Sequence, residues 1–289
     1  MNVLLLSIGI VLFGMYSTIG KPANSRCRNN ASLILYNCLF TFVSAIFSFC
    51  TSGKIFILPT SSIIISLVFG MMFCMTAYLH MKTIQTGPLS LGTLIISFSL
   101  IIPLIYSFLF LHEPFTLSKL IGILLLVVCV FLSTNLSSED KKMSVKWFVF
   151  AILTLLSNGL QSALSQAHQV HTGGAYTSQF TALGYAFAAL SSFFLFWIVK
   201  HKENAETRYF FNPAMLLLVF LSGLTSFGAN YIVLSLAAVM NGSIVYPAVQ
   251  GGSLVIVTLS SVLFLNERIN LKKFITIVMG IVSVVLLNI

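Results

Sequence analysis

Ser99–Lys119, SLIIPLIYSFLFLHEPFTLSK, and Ser253–Lys273, SLVIVTLSSVLFLNERINLKK, align without a gap at one constant offset. Ten of the 21 positions are identical, among them Glu113 with Glu267 and Lys119 with Lys273. Leucine matches carry little weight in a chain that is 58% hydrophobic. A paired glutamate carries more, because there are only six acids in all. Each glutamate falls in a short break between two long apolar runs. A unit repeated in this way within an apolar chain points to a membrane protein assembled from two related halves.

Composition fixes the solvent. Charged residues make up 7% of the 289, and the mean hydropathy is +1.02. Soluble domains run nearer a quarter charged, so most of this chain must face lipid or itself. The net charge of +9 does not imply nucleic acid, since the basic residues are scattered in short gaps between apolar runs.

A helix needs about 20 apolar residues to cross the hydrocarbon core. Ten segments qualify: Val3–Ile19, Ala31–Cys50, Ser61–Met81, Leu89–Leu111, Leu117–Leu132, Trp147–Ala167, Tyr176–Val199, Pro213–Ala238, Ser243–Leu265 and Leu271–Asn288. They are too long, and alternate too little, for barrel strands. The expected fold is all-α and polytopic. Residues 1–134 form a first five-helix repeat, 135–146 a cytoplasmic linker and 147–289 a second repeat. Thr116 and Asn270, at equivalent places after the two glutamates, suit the N-cap of the helix that follows.

Ten crossings sort the basic residues. Lys21, Arg26, Arg28, Lys82, Lys141, Lys142, Lys146, Lys200, Lys202, Arg208, Arg268, Lys272 and Lys273 share one side, and only Lys54 and Lys119 the other. A basic residue at mid-membrane costs roughly 2.5–3.5 kcal/mol, and loop charge sets orientation. The split of 13 against 2 puts the basic side in the cytoplasm and both termini outside. Five crossings per half is an odd number, so the second half enters inverted, with Glu113 and Glu267 on opposite faces. Val3–Ile19 has no basic residue before it, which reads as a retained helix and not a cleaved signal. The five cysteines, Cys27, Cys38, Cys50, Cys74 and Cys129, stand singly and read as packing residues.

All six acids fall in gaps, so no predicted span carries a central carboxylate of the kind that relays protons or traps cations. Glu113 and Glu267 read as helix-end capping groups, with coupling or gating as the alternative. The sixth segment carries Asn158, Gln161, Ser162 and Ser165 at i, i+3, i+4 and i+7, one polar face. Lipid cannot satisfy an amide, so this face looks into the bundle or a water-filled cavity. In NGSIVYPAVQGGS (Asn241–Ser253), Pro247 removes a backbone donor and Gly251-Gly252 permits bending, a candidate hinge. Tyr246 and Gln250 lie four apart beside it. Asn230, Tyr78 and Tyr16 complete the candidate substrate contacts, and His80, near a predicted span end, is a candidate gating group. His168 and His171 lack a third ligand, so no metal is expected. No cofactor is expected either.

The corners LFLHEPFTLSKLIG (Leu109–Gly122) and LFLNERINLKKFITIVMG (Leu263–Gly280) resemble those of the EamA-like branch of the drug/metabolite transporter superfamily, closest to a bacterial group within it. GPLSLGTL (Gly87–Leu94), SNGLQSALSQAHQ (Ser157–Gln169) and VYPAVQGGSLVIVTLSSVLFLNE (Val245–Glu267) extend the likeness over nearly the whole chain. The resemblance implies ten helices as an inverted duplication around a central cavity, and alternating-access movement of small molecules. The more distant small multidrug resistance proteins carry a functional glutamate in their first helix; here that segment offers Ser7, Tyr16, Ser17 and Thr18 and no acid.

The expected function is a secondary active or facilitative transporter, not an enzyme. It would move a small polar or amphipathic metabolite across the bacterial cytoplasmic membrane, as an exporter and without need of an oligomer. Asn158, Gln161, Asn230, Tyr246 and Gln250 would bind through neutral hydrogen bonds. Multidrug efflux, or a non-transporting subunit of a lipid- or glycan-modifying enzyme, are the alternatives.

Overall fold

The computed structural model describes residues 2–53, 58–86, 95–114, 116–133, 144–264 and 271–287. Ten α-helices run through them in the order of the ten apolar segments: α1 (Asn2–Arg26), α2 (Asn30–Thr51), α3 (Thr60–Thr86), α4 (Ile101–Leu109, entered through a 3-10 turn at Phe98–Leu100), α5 (Leu117–Ser133), α6 (Val145–Thr172), α7 (Thr177–Glu203), α8 (Pro213–Ala237), α9 (Gly242–Phe264) and α10 (Leu271–Leu287). Several helices outrun their apolar segments. α1 continues through Pro22 to Arg26, α3 continues past Met81, and α6 continues far enough to make His168 and His171 helical. Hydropathy marks the lipid-facing part of a helix, not its polar ends.

The ends are capped by side chains. The N-cap oxygens of Asn29, Ser144 and Asn212 accept from the third helical N–H of α2, α6 and α8, at 2.8, 3.1 and 2.9 Å. Thr116 does the same for α5, accepting from the Lys119 amide at 3.3 Å. Asn270 lies outside the described residues.

Polarity is inverted relative to a protein in water. Val3, Phe194 and Trp197 are 67%, 62% and 57% exposed, while Thr41, Ser44, Gln166 and Gln169 are fully buried. Such a surface suits lipid, where backbone and polar side chains must be satisfied inside. Among the described residues, α1, α2, α3, α6, α7 and α8 are long and apolar enough to cross a membrane. Ile95–Leu109, Leu117–Val128 and Gly242–Val257 are shorter apolar helices. Parts of the predicted spans Leu89–Leu111, Ser243–Leu265 and Leu271–Asn288 lie outside the described residues.

The helices pair mainly across the halves, with α9 on α10 the main contact inside one half. Exchanging each helix with the one five places on leaves the pairing pattern largely intact. α2 packs on α7, and α5 on α10. α1 packs on α8 as α6 does on α3, α2 on α8 as α7 on α3, and α1 on α9 as α6 on α4. The close approaches obey the same exchange. A Cβ on Gly70 of α3 would stand 2.7 Å from backbone atoms of Gly184 and Ala188 on α7, and one on Gly223 of α8 would stand 2.9 Å from the Phe40 carbonyl on α2. Gly14 of α1 meets Ile256 and Gly159 of α6 meets Ile102, and those two isoleucines are equivalent in the repeat. Interhelical hydrogen bonds reinforce the crossings. Tyr36 and Ser222 meet at 2.6 Å, Asn37 donates to Ser192 at 2.9 Å, and Ser283 donates to the Gly122 carbonyl at 2.7 Å.

Hydrogen bonds also define two ends of the bundle. At one, the Arg28 amide donates to the Tyr209 hydroxyl (2.9 Å), Asn30 donates to Glu203 (2.6 Å), and Thr83 meets Thr154 (3.3 Å). This end gathers the basic loops around Arg28, Lys82, Lys146, Lys200 and Arg208. At the opposite end lie Glu113 and Lys119.

Candidate functional site

A cavity of about 500 Å³ opens between the halves. Tyr16, Tyr78, His80, Asn158, Gln161, Asn230, Tyr246 and Gln250 all line it, so the structure brings together eight residues that the sequence singles out. They come from α1, α3, α6, α8 and α9, because the cross-half pairing turns the polar face of each helix toward the shared axis. Among the described residues, no Asp, Glu, Lys or Arg forms its wall. Three wall amides escaped the sequence reading: Asn24, Asn37 and Gln85. Asn37 sits in the middle of a predicted span and carries the same signal as Asn158. Asn24 and Gln85 lie beyond the predicted ends of the first and third spans. Both are solvent-exposed, and they carry the cavity to the surface at the basic end.

The wall amides differ in what they already hold. Asn158 donates to the Ser99 hydroxyl (2.7 Å), and Asn230 to the Ser226 carbonyl one turn back (3.0 Å). The Tyr246 hydroxyl donates to the Ser162 carbonyl (3.2 Å), tying α9 to α6. The side chains of Gln161 and Gln250 and the hydroxyls of Tyr16 and Tyr78 make no hydrogen bond to another described residue. Nε2 of His80 is shielded from solvent and has no partner among the described residues.

Pro247 sits within α9, which is helical without interruption from Gly242 to Phe264. Gly251 and Gly252 are buried, and a Cβ on Gly252 would stand 2.6 Å from Ile10 of α1. The geometry therefore gives Gly252 a close packing contact. The sixth-segment face also divides. Asn158, Gln161 and Ser162 line the cavity, whereas the Ser165 hydroxyl folds back to the Gln161 carbonyl at 2.7 Å.

Glu113 stands apart from the cavity wall, at the end opposite the basic loops. α4 ends with the Glu113 amide bonded back to the Ser107 carbonyl (3.2 Å) and His112 in the left-handed region at φ 51°. This turn carries Glu113 past the end of α4, where its side chain meets α9 of the other half. Its two carboxylate oxygens accept from the amides of Gly242 and Ser243, at 2.8 and 2.9 Å, at the first turn of α9. The carboxylate thus caps a helix of the other half, not the next helix in sequence. Lys119, only 4% exposed, donates to the Pro114 carbonyl and the Ser243 hydroxyl, both at 3.1 Å. Gln166 of α6 donates to Ser107 at 2.6 Å beside them. A Cβ on Gly242 would overlap the Gln166 amide, the far end of a flexible side chain that must turn aside to admit one. Glu267 lies outside the described residues.

Among the described residues, no group of three or more His, Cys, Asp or Glu is placed to hold a metal. His168 is spent on Ser62 (2.9 Å) and stacks on Phe180 with ring centroids 4.2 Å apart.

No curated protein sequence matches this chain. A solved crystal structure, described only as that of a protein, superposes with a TM-score of 0.77 over 99% of this chain and 95% of its own. At 12% identity it speaks for the fold alone. The sequence profile of the EamA-like transporter family matches residues 1–135 and 145–289. A profile match over nearly the whole length, on a bundle with a cavity between its halves, identifies the chain as a transporter and not an enzyme: it belongs to the EamA-like transporter family.

Proposed function

We propose that the protein moves a small polar or amphipathic metabolite across the bacterial cytoplasmic membrane by alternating access between two inverted five-span halves. The observation that carries this reading is the cavity itself, uncharged, walled by both halves, reaching the surface at the basic end and absent from the Glu113 end. The loop charge favours a cytoplasmic basic end with both termini outside, and on that reading the cavity opens toward the cytoplasm, the loading face for export. The seal at the other end is the Glu113 carboxylate on α9, flanked by Lys119 and the Gln166–Ser107 bond.

Opening the outer face requires α4 and α9 to separate there and the cytoplasmic side to close. The repeat gives Glu267 the place in the second half that Glu113 holds in the first. Glu267 is therefore the group we assign to the opposite seal. Each carboxylate would be seated in only one of the two states, which keeps them close in energy while each stays well defined. Small differential contacts suffice for such a switch, since about 1.4 kcal/mol changes a population ratio tenfold.

A cross-link tests this. An ideal Cβ on Gly242 lies 2.8 Å from the Ser107 hydroxyl, a separation a disulfide accepts. In a background with the native cysteines replaced by alanine, Ser107→Cys/Gly242→Cys is expected to stop solute flux in liposomes when oxidised. Reduction should restore the flux. Undiminished flux through the oxidised protein contradicts alternating access at this seal.

A further inference from the structure

We propose that this cavity selects uncharged, ring-bearing solutes with an amide-type polar edge, the chemistry of a nucleobase or nucleoside, read chiefly by Gln161 and Gln250. The inference rests on the transporter reading and narrows its substrate.

The first argument is charge. No Asp, Glu, Lys or Arg lines the cavity among the described residues, so neither an anion nor an ammonium group finds a permanent counter-charge from them. An unpaired ion taken from water into such a site costs several kcal/mol. A helix N-terminus can substitute for a cation, but the first turn of α9 is already occupied by the Glu113 carboxylate. Nucleotides, organic acids and zwitterionic amino acids are all disfavoured on the same ground.

The second argument is the division of the walls. α1, α2 and α3 contribute a continuous run of rings. Phe13 meets Tyr16 at 6.2 Å between centroids, Tyr16 meets Phe40 at 5.6 Å, and Phe40 meets Phe73 at 6.2 Å. α6, α8 and α9 contribute the carboxamides of Asn158, Gln161, Asn230 and Gln250, while Asn37 stands on the ring-bearing side and Asn24 and Gln85 at its mouth. Successive rings are tilted by 56° to 66°, so this apolar wall offers edges and faces together; opposite planar donor–acceptor groups it suits a solute ring that packs edge-to-face on one side and hydrogen-bonds along its polar edge.

The third argument separates the amides. Asn158, Asn230 and Tyr246 already donate to protein partners, whereas Gln161 and Gln250 do not. Each free carboxamide offers a carbonyl acceptor and two N–H donors to a solute. The two glutamines are therefore specificity determinants, and Asn158 is a positioning residue that holds α6 to Ser99. Nε2 of His80, without a partner, is a further unspent group on the same wall.

The test uses the full-length purified protein and three ring-bearing probes that differ in ionisation: uridine, uridine 5′-monophosphate and zwitterionic tyrosine. Direct binding is measured by calorimetry, and flux by counterflow in liposomes. Uridine is expected to bind and exchange, with the nucleotide and tyrosine at least tenfold weaker. Gln161→Ala and Gln250→Ala should each weaken uridine tenfold or more, and Gln→Glu at either site should weaken it as much. Asn158→Ala should cost less in binding than either glutamine. Equal or tighter binding of the nucleotide or tyrosine overturns the proposal, as does failure of uridine to bind. Flux of a charged probe that the Ser107–Gly242 cross-link still blocks would overturn the substrate class while leaving the transporter standing. Absence of any cross-link-sensitive flux would remove both.

Discussion

Glu113→Ala is expected to open the sealed end of the cavity. The variant strips two charge-assisted hydrogen bonds from the first turn of α9 and leaves the Gly242 and Ser243 amides unpaired. Loss of an N-terminal capping group costs about 0.5–2 kcal/mol, and the carboxylate's favourable interaction with the helix dipole is lost with it. A change of about 2 kcal/mol shifts a two-state ratio roughly thirtyfold. With cysteine at position 250, modification by an impermeant thiol reagent from the Glu113 side should accelerate at least tenfold in Glu113→Ala. Glu113→Gln keeps one acceptor oxygen and should fall between alanine and the native residue. An unchanged rate in both would mean that the carboxylate plays no part in closure.

The second large effect concerns assembly. Gly70→Val should abolish the folded protein. At this crossing the obstructing atoms are the Gly184 carbonyl and the Ala188 amide of α7, backbone that moves only if the helix moves. Overpacking costs typically 1–3 kcal/mol and more where nothing can yield, a large share of the stability of any folded chain. Gly223→Val, at the equivalent crossing of α8 on α2, should behave alike. Gly20→Val is the control, since nothing stands within 4 Å of a Cβ there. Size-exclusion profiles of the solubilised variants should show a monodisperse peak for Gly20→Val alone. A normal peak for Gly70→Val would contradict the packing of α3 on α7.

The helices were legible because lipid imposes a length and an apolar composition that water does not. The cavity wall was legible for a related reason. An amide inside an apolar run has only the interior to face, which pointed to Asn158, Gln161, Asn230, Tyr246 and Gln250. The same rule covers Asn37, which the sequence reading passed over. It does not reach Asn24 or Gln85, which lie beyond the apolar stretches, where polar residues are unremarkable.

What the sequence hid is mostly partnership. A capping role was readable for Glu113, but the donors it accepts from are backbone amides about 130 residues away, and a backbone amide has no sequence signature. The pairing of α2 with α7 and of α5 with α10 was equally silent, because one apolar surface resembles another. Only the repeat hinted at it, and the matched glycine crossings display it in space. Pro247 with Gly251-Gly252 reads as a candidate hinge in the sequence; α9 is continuous there, and Gly252 also admits the close passage of Ile10, a partner the sequence could not name.

The claim on which the rest stands is that one uncharged chamber between the halves is reached from the basic face and shut at the Glu113 face. It is tested most directly by cysteine at position 250, in a protein otherwise free of cysteine, labelled with an impermeant maleimide in right-side-out and inside-out vesicles. Labelling should occur in inside-out vesicles, where the face bearing Arg28, Lys82 and Lys146 meets the reagent, and be near background in right-side-out ones. Preferential labelling in right-side-out vesicles would contradict it.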